Sequence, residues 1–367
     1  MIYKNHNLDI NNWDFLKKTQ SKNKIPNALL FHGNDGVGKE LAAIEYAAYI
    51  NCEAPIDDFA CGKCNSCYRI RGNNHEYINY IFPLPKGKIT SKKDDISKSF
   101  TEKTLQQYTS ELNKKLENPF HKIHIDRANT ILINSIRSIK NKIYKTADNN
   151  VYRAIIIFEA EKLCYPNNEA ANSLLKILEE PPSQSIFILI TSKNNLLLDT
   201  IKSRCIELYF PNPSIEEFNS YANSLESFDI NLYKLLDGNI KLLNKLDNNF
   251  INEIKVFIKD YNRKLIDGNN IDLKLISYIS KLSKTDKLLF EILIQALKYY
   301  YKDLMSIKFK VKEYQPTFPF LNYNKIDSIS INHTNYIDMI EQFEKDCLIN
   351  LNLDLSLFNL FNNLRRN

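Results

Sequence analysis

Short apolar runs recur through the first 210 or so positions: Ala28–Phe31, Ile123–Ile125, Ala154–Phe158, Ile186–Thr191 and Ile206–Phe210. Such near-continuous runs predict strands covered on both faces, as in a parallel sheet. Between them, 3.6-residue periodicity predicts helices at Lys39–Ile50, Ile131–Lys145 and Glu169–Glu179, the last stopped by Pro181-Pro182. Strands alternating with helices imply an open α/β sheet with crossover connections. The strand pattern ends near Pro211-Asn212-Pro213. Beyond it, Leu/Ile periodicity in Leu232–Leu246, Phe250–Tyr261 and Lys287–Met305 predicts a helical second half. Pro83 to Pro119 is polar and charged, with Lys92-Lys93-Asp94-Asp95 at its centre, and reads as a long loop or surface helix inserted in the first domain. No internal repeat is evident, and the periodic segments are too short for a sustained coiled coil.

A chain of 367 residues exceeds one ordinary core and implies two or three domains. Its 44% hydrophobic and 25% charged residues place it among globular rather than disordered chains. No run of about 18 apolar residues exists, which argues against a membrane-spanning helix. The start, Met1-Ile2-Tyr3-Lys4-Asn5-His6, has no apolar stretch of a secretory signal, so a cytoplasmic location is expected. A net charge of +6 permits nucleic-acid contact without arguing for it. Two rarities say more. Only 8 glycines occur, and three of them, Gly33, Gly36 and Gly38, share one short window. Of 7 cysteines, four lie between Cys52 and Cys67.

The glycine window, Gly33-Asn34-Asp35-Gly36-Val37-Gly38-Lys39-Glu40, follows an apolar strand and opens a helix. That is the context of a phosphate loop of the form G-x-x-x-x-G-K-[ST]. Its glycines let backbone N–H groups turn toward a phosphate, the helix N-terminus adds partial positive charge, and Lys39 reaches the outer phosphates. Glu40, however, stands where the Mg²⁺-binding hydroxyl belongs. A second strand in nucleotide hydrolases ends in Asp-Glu, the Asp for Mg²⁺ and the Glu for water. Here Phe158 takes the Asp position and Glu159 the Glu position. ATP and Mg²⁺ are therefore doubtful in this site, and an ordinary buried strand followed by an acidic turn explains residues 154–161 equally well.

Cys52, Cys61, Cys64 and Cys67 form C-x8-C-x2-C-x2-C, a set that suits tetrahedral zinc, with Gly62 in the turn that folds N–H groups toward sulfur. In a cytosolic chain this clustering indicates metal rather than disulfides, and four thiolates leave no open catalytic position. His75 is the nearest spare histidine. Cys164, Cys205 and Cys347 are isolated and read as ordinary buried or half-buried thiols.

Taken together, Pro26–Gly33 with the glycine loop, the four cysteines, and Asn172-Ser173-Leu174-Leu175-Lys176-Ile177-Leu178-Glu179-Glu180-Pro181-Pro182 resemble the bacterial AAA+ clamp-loader subunits of DNA polymerase III. Phe187-Ile188-Leu189-Ile190-Thr191-Ser192 is similar to that family's sensor-1 strand, and Thr200-Ile201-Lys202-Ser203-Arg204-Cys205 to its Ser-Arg-Cys motif. With both nucleotide motifs altered, the match is nearest to the delta-prime subunits; the gamma/tau motor would keep Thr after the loop lysine and Asp in the second strand. The resemblance covers residues 10–210 strongly and fades toward Asn350–Leu355, which is similar to the family's closing helix.

That resemblance implies an AAA+ P-loop core over residues 1–211 carrying a zinc module at about 52–67, a helical lid over 212–248 and an all-α collar over 249–367. It implies that Arg204 is an arginine finger acting in trans, since a guanidinium presents charge and a bidentate fork to a neighbour's γ-phosphate. An arginine paired with a local carboxylate is the plainer alternative. Thr191 or Ser192 would sit at sensor 1. Lys241, in Asp237-Gly238-Asn239-Ile240-Lys241, stands where active relatives carry a sensor-2 arginine, or is simply a surface lysine after a turn. The implied function is an ATPase-deficient stator of the clamp loader, with gamma/tau and delta subunits as partners and the sliding clamp and primed DNA reached through the complex. An active AAA+ ATPase, either the gamma/tau motor or a variant that holds Mg²⁺ through Glu40 or Glu159, is one alternative. A DNA-binding zinc module using Lys63, Arg69 and Arg71 is another.

Overall fold

The computed structural model describes residues 1–3, 8–22, 24–143, 151–222, 230–243, 245–267, 273–323, 333–348 and 353–363. They group into two units, Met1–Asn212 and Pro213–Asn367.

In the first unit, α1 (Ile10–Ser21) precedes β1 (Ala28–His32), α2 (Lys39–Ile50), α3 (Asn65–Arg71) and β2 (Ile78–Ile81). There follow α4 (Glu102–Glu117), α5 (Ile133–Ile143), β3 (Arg153–Ile157), α6 (Glu169–Glu179), β4 (Ser185–Thr191), α7 (Asp199–Lys202) and β5 (Ile206–Tyr209). The strands form one sheet in the order β2-β3-β4-β1-β5. Every pairing is parallel, with Leu30 opposite Leu189 and Ile156 opposite Ile188. Because side chains alternate along a strand, the apolar runs feed two cores. Leu29, Phe31, Ile156, Phe158, Ile188 and Ile190 meet α2 on one face. Leu30, Ile155, Ile157, Phe187 and Leu189 meet α5 and α6 on the other.

One expected strand is absent and another takes its place. Ile123–Ile125 is not a strand: Ile125 is buried, but the His124 N–H donates to the Glu111 carboxylate at 2.9 Å instead of joining a ladder. The fifth strand is β2, whose Asn79 and Tyr80 hid it; they point to opposite faces, and in an edge strand that pairs with β3 alone both stay only partly buried. Most of the 83–119 stretch is the expected exposed loop and surface helix, but α4 turns Leu112, Lys115 and Leu116 inward, and Leu84 and Phe120 join the two leucines in the first unit's core.

The second unit is helical: α8 (Ile215–Ala222), α9 (Leu232–Leu235), α10 (Ile240–Leu243), α11 (Asn248–Ile266), α12 (Leu273–Thr285), α13 (Lys287–Lys308), α14 (His333–Leu348) and α15 (Leu353–Asn363). The expected helix over 232–246 is split, because Asp237 and Gly238 both take left-handed backbone angles. The Asp237 carboxylate accepts from Gln295 Nε2 at 2.9 Å and from the Tyr299 hydroxyl. A single apolar cluster runs from Phe218 in α8 to Phe361 in α15. Of the segment 350–355, residues 350–352 lie outside the described residues. Among the described residues, no helix is long and apolar enough to cross a membrane.

Candidate functional site

The glycine loop joins the carboxyl end of β1 to the start of α2, where an open parallel sheet places its ligands. Gly38 caps α2 with φ +89°, and Gly36 has φ +77°. Gly33 has φ +143°, and a Cβ there would lie 2.2 Å from the Phe210 carbonyl oxygen, so only glycine lets the loop cross the end of β5. Lys39 is 4% exposed. Its ammonium donates to the loop's own carbonyls at Gly33 (2.7 Å) and Asn34 (2.5 Å), and to Ser192 Oγ at 3.3 Å. The loop thus keeps the shape of an anion cradle, with its lysine folded onto the backbone of the same turn.

The carboxyl end of β3 meets this loop's helix through a residue the sequence did not single out. Lys115, on α4, is 1% exposed, and its ammonium bonds the Glu40 carboxylate, the Pro119 carbonyl (2.7 Å) and the His121 carbonyl (2.6 Å). It also stands 5.2 Å from the centre of the Phe158 ring, within cation–π range. Phe158 is stacked on Tyr80 at 6.0 Å. The two positions expected to hold Mg²⁺ are therefore drawn together around an ammonium. These residues do not fit the metal: Mg²⁺ needs hard oxygen ligands in octahedral array, Phe158 supplies none, and Glu40 is already paired with a cation. Glu159 does not join them. It takes a left-handed turn (φ +51°) and pairs with Lys162 at 2.8 Å and Lys122 at 3.8 Å.

Of the two sensor-1 candidates, Ser192 touches the loop and Thr191 does not. The Ser192 hydroxyl donates to Asp35 in the loop. The Thr191 hydroxyl is turned away, donating to Glu161 Oε2 at 2.6 Å. Arg204 lies just before β5, away from the loop's own hydrogen-bonding groups. Its guanidinium donates to Glu179 Oε1 at 2.7 Å and to the Thr200 carbonyl at 2.8 Å, which is the local pairing foreseen as its alternative. Both partners are well exposed, at 33% and 50%, so the pair contributes little to stability and is readily exchanged. Lys241 belongs to the second unit, in α10, where its N–H bonds Asn239 Oδ1 at 3.1 Å.

The four cysteines do converge. Their sulfurs all lie within 4.8 Å of one another, with Cys52 to Cys64 at 3.9 Å, Cys61 to Cys67 at 4.0 Å and Cys52 to Cys67 at 3.7 Å. A zinc–sulfur bond of about 2.3 Å sets a tetrahedral sulfur separation of about 3.8 Å, so the cage matches zinc. The Lys63 and Cys64 N–H groups donate to Cys61 Sγ at 3.4 and 3.2 Å, and hold its thiol pKa at about 6. Burial instead pushes the Cys67 thiol well up. Gly62, at φ +69°, makes the turn. His75 stays outside, its Nε2 on Ser66 Oγ at 3.0 Å. Two of the module's basic residues are engaged at home: Arg69 with Glu76 at 2.7 Å and Arg71 with the Ile2 carbonyl at 2.6 Å. Cys164 and Cys205 are half-buried, and burial, aided by Glu207, raises the Cys205 thiol to about 12. The Cys347 side chain lies outside the described residues.

Residues 9–214 match the family described as DNA polymerase III, delta subunit. A delta' subunit of DNA polymerase III from Pseudomonas aeruginosa is 26% identical over 186 residues, 51% of this chain and 43% of that protein. One from Bacillus subtilis is 29% identical over 194 residues, 52% of this chain and 43% of that protein. A gamma subunit from Buchnera aphidicola is 28% identical over 267 residues, 72% of this chain and 55% of that protein. The chain thus spans about half the length of the curated relatives it matches.

Proposed function

This chain belongs to the DNA polymerase III delta subunit family, and from that premise we propose that it is a clamp-loader subunit of the delta-prime type. It carries a structural zinc on Cys52, Cys61, Cys64 and Cys67. It does not turn over ATP, and serves as a rigid end-piece that presents Arg204 to an ATP held by an adjacent gamma/tau motor. Residues 212–248 act as its lid and 249–367 as the collar through which it joins gamma/tau and delta subunits. Through that complex it helps place a sliding clamp on primed DNA.

One observation carries this reading. The loop retains its fold, yet both positions that would hold Mg²⁺ are occupied by an ion pair and an aromatic ring, while Arg204 sits in an exposed, easily exchanged pair. Phosphoryl transfer depends on the metal to neutralise developing charge, so a loop without one is a poor catalyst whereas an arginine offered outward costs it nothing. The likeness to a gamma subunit over 72% of the chain favours a second reading, an active motor.

Steady-state ATP hydrolysis separates the two. The purified chain with excess Mg²⁺ is expected to stay at background. In a complex reconstituted with its gamma/tau and delta partners, Arg204→Ala should leave assembly intact and lower turnover at the affected interface by about 10³-fold. Turnover by the isolated chain that Lys39→Ala abolishes would put the motor ahead, and unchanged turnover with Arg204→Ala would sink the arginine-finger role.

A further inference from the structure

The ion pair at the loop has a specific chemical meaning. An ammonium has three N–H donors and no acceptor, and that of Lys115 is directed at three oxygens: the Glu40 carboxylate, the Pro119 carbonyl and the His121 carbonyl. The two carbonyls follow the end of α4, one at the last residue of the inserted stretch and one just beyond it, so this part of the chain encloses its own lysine and delivers it to Glu40, 75 residues earlier in the chain. The Phe158 ring closes the remaining side. A cation seated among a carboxylate, two carbonyls and an aromatic face is a built site, and its occupant is covalently attached.

We propose that Lys115 is an internal replacement for the divalent metal of this loop, so that the site excludes Mg²⁺ and any phosphate ligand it takes is bound without metal. Charge accounts for the exclusion. A divalent ion approaching Glu40 meets an ammonium already in contact with it, and displacing that ammonium would strand a buried positive charge. The substitutions also depend on one another: Glu40 answers Lys115, and Phe158 tolerates a cation above its ring where an aspartate would make a second, competing pair. Lys115 does this whatever assembly the chain joins, so the inference stands apart from the clamp-loader reading.

The test uses the full-length, zinc-loaded chain with Mn²⁺ as the probe, since thiolate cages do not select Mn²⁺. Electron paramagnetic resonance should show no Mn²⁺ held by the wild-type chain with or without ATP. Calorimetry should give the same ATP affinity, within about twofold, with Mg²⁺ and in chelator-free buffer without Mg²⁺, or no binding in either. The double variant Lys115→Met/Glu40→Thr, which removes the ammonium and restores the loop hydroxyl, should gain a Mn²⁺ signal that requires ATP. Acetylation of the wild-type chain should modify Lys115 at least tenfold more slowly than its exposed neighbour Lys114. That last measurement needs no variant. Mn²⁺ bound by the wild-type chain, ATP at least tenfold tighter with Mg²⁺, a folded double variant that still takes no Mn²⁺, or Lys115 acetylated as fast as Lys114 would each overturn the proposal. None of these readouts involves Arg204 or a partner subunit. The stator can therefore fail with Lys115 intact, and Lys115 can fail with the stator intact.

Discussion

The glycine loop and the cysteine cluster are attached to opposite ends of one helix. Gly38 caps the start of α2, and Cys52 lies two residues beyond its end. Both have the outline of a cation-dependent site, but only one retains the donors. At the cysteines, four soft ligands of the right spacing are aimed at a common centre by backbone N–H groups, and α2 offers its negative end. At the loop, the geometry that turns N–H groups inward is preserved, while the two donor positions have become a carboxylate committed to Lys115 and a phenyl ring. The contrast shows that a loop's shape and its chemistry are separable. Gly33 and Gly38 answer to backbone geometry; Glu40 and Phe158 answer to a charge that arrives from elsewhere in the fold.

The comparison breaks most readily at the cysteines. Cys67→Ser replaces a fully buried ligand and should reduce bound zinc from about one equivalent to near none by metal analysis. It should also cost several kcal/mol of the roughly 10–16 kcal/mol that a structural zinc can provide. Retention of zinc and of the melting temperature would show that Cys67 is not a ligand, and a wild-type chain without zinc would show that the cluster is an ordinary buried thiol group. At the loop, Lys115→Met leaves Glu40 without its partner. Because Glu40 is 28% exposed, the expected loss in denaturant unfolding is about 2–3 kcal/mol, below that of a fully buried broken pair. Adding Glu40→Gln should recover most of it, and a purely additive double variant would show that the two do not act as a pair. Smaller effects sharpen the role of the glycines. Gly33→Ala drives a methyl into the Phe210 carbonyl and should cost about 2 kcal/mol. Gly38→Ala meets nothing within 4 Å and should cost only the left-handed strain of about 1 kcal/mol. Equal losses at the two positions would mean that strain, not the crossing with β5, makes Gly33 necessary.

What could be read in the chain itself was whatever local periodicity or spacing encodes. The helices α2 and α6 begin and end where their patterns do, at Lys39–Ile50 and Glu169–Glu179, and the central strands β1, β3 and β4 lie within a residue of the apolar runs. The phosphate-loop shape and the cysteine set were equally legible, because each is a short motif whose parts are fixed by backbone turns and ligand geometry. Only the tertiary structure could decide the rest. It placed β2 at the edge, where a strand covered by one neighbour no longer needs a continuous apolar run. It chose Ser192 over Thr191 as the hydroxyl on the loop. It also turned a charged stretch expected on the surface into the source of a buried lysine. A signal existed in Tyr108, Leu112 and Leu116, spaced four apart along α4, with Lys115 beside them. Yet periodicity gives the face of a helix and not the partner across it. Where that ammonium goes depends on a contact spanning 75 residues, which burial and charge settle only once the chain has folded.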